Sequence, residues 1–134
     1  MTRSLETAGI LLITVPAVEF GGVSLLKLLT RRVPGYMDNP MRRGLWRAGH
    51  AHAGVLVVLA LVAMLYVDAA ELSEGFTTLV RICFVLPPIL MPLGFFLSVA
   101  SPRAERPNTL IALVPIGGIA LAAGAVTLGI GLLS

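Results

Sequence analysis

Charge is the first thing this sequence lacks. Only 13% of its 134 residues are Asp, Glu, Lys or Arg, about half the roughly 25% of an ordinary soluble domain. A chain this short cannot hide 57% hydrophobic residues in its own interior. A water-soluble globule is therefore excluded, and lipid must cover much of the surface. There is one cysteine, Cys83, so no internal disulfide can form; its apolar surroundings make it a small hydrophobe. No P-loop, dinucleotide fingerprint, CxxC pair or nucleophile constellation is present. The net charge of +3 comes from arginines gathered in short turns rather than along a solvated face. Membrane topology accounts for them, and no nucleic-acid partner is expected.

What the chain has instead is long apolar runs. A spanning helix needs about 20 apolar residues to cross a hydrocarbon core about 30 Å thick. Four runs meet this, at roughly 7–29, 48–67, 76–100 and 109–133. In lipid every backbone polar group must be satisfied within its own segment, so the fold class is an all-α integral membrane protein. The runs are too long and continuous for barrel strands. The first is too long, and too poor in preceding positive charge, for a cleaved signal, and is taken as retained. Three short connections join the runs: "TRRVPGYMDNPMRRGLW", "DAAELSEG" and "SPRAERPN". Short connections favour antiparallel neighbours, hence one domain built as an up-down four-helix bundle.

Arg31, Arg32, Arg42, Arg43 and Arg47 lie in or beside the first connection, and Arg103 and Arg106 lie in the third. The opposite side has Arg3 with Glu6, Asp68, Glu71 and Glu74. The bias places the basic loops in the cytoplasm and both termini outside, in a bacterial inner membrane.

Ionisable groups within spans are the default place to look for function. Glu19, in "VPAVEFGG", lies about 10 residues or roughly 15 Å from the basic end. Gly21 and Gly22 beside it permit close approach of another helix or a ligand. Glu19 reads as a protonated carboxyl bonded to a neighbouring helix, as a proton-handling group, or as a partner of a histidine or of a bound cofactor. Arg81, about one turn into the third span, can snorkel to Asp68, Glu71 or Glu74, or hold an anionic group. Pro87, Pro88 and Pro92 kink the third span. Gly117, Ala120, Gly124 and Gly131 suit tight packing of the fourth. Met64 and Met91 offer soft ligand atoms, although scattered Met more often serves as filler.

The only two imidazoles stand one residue apart in "RAGHAHAGVL", His50 and His52. Residues two apart on a helix are rotated by about 200°, so the rings point to opposite flanks and cannot comfortably grip one metal ion. One helix can instead serve two sites. Three readings stay open: interfacial histidines bonded to headgroups and loop carbonyls, haem ligands, or another metal, quinone or proton role.

The stretch "GHAHAGVLVVLALVAMLY" resembles the histidine-bearing helices of the haem-copper oxidase superfamily and its NnrS-type relatives, and the GHxH start of the second span in small four-span bacterial membrane proteins. The resemblance covers about twenty residues, and only His50 and His52 match the motif. The copper-site histidines and the cross-linked tyrosine have no counterpart, so oxygen reduction is not implied. In the oxidases the corresponding loop faces outward, whereas the arginine bias here faces it inward. The resemblance implies haem b as cofactor. Three copies would form a twelve-helix ring, a homotrimer in which His50 of one copy and His52 of the next hold a haem at each interface. Arg47, Arg43 or Trp46 would lie near its propionates. The functions implied are electron transfer, haem handling or gas sensing. The alternatives are a non-catalytic accessory subunit and a small proton-coupled transporter using Glu19.

Overall fold

The computed structural model describes residues 2–134. Among these residues there are four helices long and apolar enough to span a membrane and no strands. The chain is an all-α, multi-pass membrane protein. The first span is α1, Arg3–Thr30. A short turn of helix, α2, follows at Pro34–Met37, and the second span is α3, Pro40–Val67. The third span is built from α4, Glu74–Val85, and α5, Pro87–Leu97. A 3₁₀ turn at Thr109–Ala112 leads into α6, Leu113–Leu133, the fourth span.

The second helix starts eight residues before the apolar run that begins at Ala48. Asn39 caps it, its side chain accepting from the Arg42 amide at 3.0 Å, and Pro40 fills the first helical position, where no amide is needed. The polar, arginine-bearing stretch is thus helix as well as connection. The third span breaks at Leu86 because Pro87 and Pro88 have no N–H to offer the carbonyls of Cys83 and Phe84 four residues upstream. The turn after α1 closes with the Arg32 and Val33 amides bonded to the Leu29 and Leu28 carbonyls, both at 3.1 Å. That pattern is a Schellman cap, and it places Arg32 at φ 49°, in the left-handed region that favours glycine.

Each span packs on its neighbours in sequence: α1 on α3, α3 on α4 and α5, and these on α6. Contact between α1 and α4 is sparse. The core is a thin seam of Leu11, Ala60, Ala63, Val67, Val80 and Leu128, with Met64 filling space among them. Fourth-span glycines recur every seven residues toward the third span and its approach. A Cβ at Gly117 would lie 2.6 Å from Met91, at Gly124 2.7 Å from Cys83, and at Gly131 2.6 Å from Leu72. Large apolar side chains point outward all round, among them Ile13 at 80% exposure and Phe20 and Leu65 at 72% each. Those surfaces are matched to a lipid bilayer.

The two ends of the bundle are fastened differently. At the basic end Arg42 donates to the carbonyls of Gly35 (2.7 Å), Val99 (3.1 Å) and Ala100 (3.1 Å), and its guanidinium lies 3.8 Å over the Trp46 ring. The Asn39 amide donates to the carbonyls of Pro102 and Ala104 at 3.2 and 2.8 Å. At the acidic end the Ser4 hydroxyl donates to Asp68 at 2.7 Å. Arg81 reaches Asp68 at 3.8 Å, Ser4 at 3.3 Å and Thr78 at 3.2 Å. Of the acids within Arg81's reach, Asp68 is the one it meets.

Candidate functional site

The histidines stand at the two edges of the face that α3 buries. That face runs through Gly49, Leu56, Ala60, Ala63 and Val67. With about 100° per residue, His50 falls on the α1 side and His52 on the α5 side, as the 200° splay requires. Both are half-buried.

His50 sits in a notch made by two missing side chains. A Cβ on Gly22 would come within 2.9 Å of its Nε2 and 3.0 Å of its Cε1, and one on Gly21 within 3.6 Å of its Nδ1. The close approach that this glycine pair permits is therefore taken up by His50. The ring also borders two hollows. One, of about 590 Å³, opens between α1 and α3 and is lined by Leu25, Leu26, Leu29, Tyr36, Arg47 and His50 among others. The second, about 290 Å³, lies deeper, between His50, Gly21, Val57, Pro88 and Phe96. A further cavity of about 470 Å³ runs from Arg81 and Glu6 along α1. It shares Ile10, Leu11 and Val85 with the deeper hollow, so the sparse seam between α1 and the third span leads toward His50.

His52 is held from both sides. Its ring stands 4.9 Å from that of Phe95, centroid to centroid. Its Nδ1 lies 2.7 Å from the Ala48 carbonyl one turn back. A carbonyl can only accept, so Nδ1 carries a proton, and in the neutral ring Nε2 keeps its lone pair.

The remaining residues named from sequence separate. Arg47 shares the larger hollow with His50. Trp46 is enclosed: its indole donates to the Phe96 carbonyl at 3.2 Å, with Phe96 and Tyr36 rings 5.9 and 6.1 Å away. Arg43 donates to the Met37 carbonyl at 2.8 Å. Glu19 is exposed on the outer side of α1 and borders neither hollow of His50. Phe95 and Ala48 as partners of His52 are new. The carbonyl four residues back was available from spacing alone; Phe95 required the tertiary fold.

Among the described residues no three His, Cys, Asp or Glu side chains converge to hold a metal ion. A haem brings its own ring nitrogens and asks one or two axial donors of the protein, so an isolated imidazole with a free Nε2 suits it. No protein-family model matches the chain, and no curated protein or solved structure matches it significantly. The functional reading therefore stands on these contacts.

Proposed function

We propose that the chain is a membrane haem-b protein, serving electron transfer, haem handling or gas sensing, with His50 and His52 as axial ligands at boundaries between copies. The supporting observation is the Nδ1–H of His52 on the Ala48 carbonyl. Metal-ligating histidines almost always donate their second ring nitrogen in this way, which fixes the tautomer and orients the ring. His50 would serve by turning out of its glycine notch into the hollow it borders, where Arg47 supplies a cation for a propionate. Bound haem would supply an iron that changes oxidation state or takes a small gas. The protein's part is to orient the imidazoles and keep the ring in an apolar setting. A second copy would supply the other imidazole, as in a homotrimer. The basic loops face the cytoplasm and both termini lie outside, in a bacterial inner membrane.

A second reading has its own observation. His50 lodged against Gly21 and Gly22 and Trp46 caged by Arg42, Tyr36 and Phe96 hold helices together. An accessory subunit that only packs would need these contacts and no cofactor.

A visible spectrum of the folded protein, purified in mild detergent with haem supplied, separates the two. A Soret band lost in both His52→Ala and His50→Ala supports the haem reading. A colourless, fully folded protein after supplementation leaves the packing role.

A further inference from the structure

We propose that Glu19 marks the surface through which copies of this chain associate, with α1 helices running parallel around an axis normal to the bilayer. The inference does not depend on haem. Glu19 lies 11 residues from the Thr30 end of α1 and 16 from the Arg3 end, roughly 17 and 24 Å, and so within the hydrocarbon core. It is exposed on the isolated chain and makes no hydrogen bond or ion pair among the described residues. Intramembrane carboxyls almost always face a bundle interior, a wet cavity or a partner. Glu19 faces none of these within its own chain.

The residues around it supply the rest. Leu5, Leu12, Glu19 and Leu26 recur every seven positions, and the three leucines are 57%, 58% and 57% exposed. A seven-residue repeat on an exposed face supplies one of the two recurring positions of a left-handed helix seam, and a single polar residue in such a seam fixes register and copy number. The occupant follows from the chemistry of the carboxyl. A protonated Glu is both donor and acceptor, so identical copies satisfy one another, the O–H of one donating to the C=O of the next. A partner of different sequence would have to bring a matching group to the same depth; a second copy does so by symmetry. α1 is also the span least covered by its own chain. Leu26 additionally lines the hollow of His50 and Arg47, so a copy docked on this stripe closes over it.

The test uses the full chain, without haem, in nanodiscs or mild detergent. Native mass or fluorescence transfer between labelled copies should show an oligomer. Glu19→Leu should weaken association about tenfold, the scale of one interhelical hydrogen bond in lipid, while Glu19→Gln, which still donates and accepts, retains it. To guard against misfolding, single cysteines in a Cys83→Ala background report the interface directly. Leu12→Cys and Leu26→Cys should cross-link on mild oxidation, and Ile13→Cys, exposed but about 100° round the helix, should not. A monomeric wild type, an oligomer unchanged by Glu19→Leu, or cross-linking at Ile13 equal to that at Leu12 overturns the proposal.

Discussion

The two ends of α3 are fastened by different chemistry. At the basic end the Arg42 guanidinium and the Asn39 amide tie to backbone carbonyls across the bundle: Arg42 on Gly35, Val99 and Ala100, and Asn39 on Pro102 and Ala104. Nothing in that set changes protonation in any ordinary pH range. At the acidic end the hub is a carboxylate, Asp68, tied to Ser4 and Arg81. In lipid the helices gain no hydrophobic drive toward one another, so these polar clamps and close glycine contacts determine how the spans stand. The histidines lie about two and three turns above the Arg42 clamp. Their level in the membrane is set from the end that pH does not touch.

The largest way to break this contrast is Arg42→Ala. It removes three charge-assisted bonds, leaves the carbonyls at the end of the third span to water, and strips the cover from Trp46. A loss of about 2–3 kcal/mol is expected, read as a shift in denaturant midpoint in detergent. Arg42→Lys should recover little, because an ammonium cannot fork to three carbonyls. Asn39→Ala comes next, at about 1–2 kcal/mol, for it removes a helix cap together with the ties to Pro102 and Ala104. Arg32→Gly should act in the opposite sense and stabilise by about 1 kcal/mol, since Arg32 occupies a left-handed position at φ 49° where a side chain is costly. A rise in melting temperature checks it.

The smallest effect separates the two ends by pH. The Ser4 hydroxyl first, then that of Thr2, and more weakly the charge of Arg81, hold the Asp68 carboxyl below its ordinary value of 3.8. A folded value below the unfolded one means that the stability Asp68 contributes is present above about pH 4 and is lost as pH falls through the lowered value. Hydrogen exchange should therefore quicken in acid around the start of α1 and the end of α3, and not around Asn39 and Arg42. Ser4→Ala should shrink that response. Equal acid sensitivity at both ends would contradict the assignment.

The four spans were legible because length and apolar continuity in lipid leave few alternatives. The break at Pro87–Pro88 was legible from the missing amides, and the splay of His50 and His52 from helix geometry. The early start of α3 was also present in the sequence, as an Asn-Pro cap signature. It was masked because arginines read as loop when the question is which residues touch lipid, whereas a helix continues through the headgroups. The identity of each ring's neighbour was not legible. Gly21 and Gly22 advertised a close approach without saying whose, and Phe95 lies 43 positions from His52 in sequence. Nor could Arg42 be told from Arg43 and Arg47 by composition. Helical phase, seen only against α5 and α2, sends one to the carbonyls of the third span, one to Met37 and one to the hollow of His50.

The reach of Arg42 to Val99 and Ala100 also bears on biosynthesis. The carbonyls of the turn just past the third span are met by a side chain made 57 and 58 residues earlier. When the ribosome reaches Ala100, the group that ties down this turn already waits at the same membrane face. The second and third spans can thus leave the translocon as a closed hairpin, before the fourth has been translated.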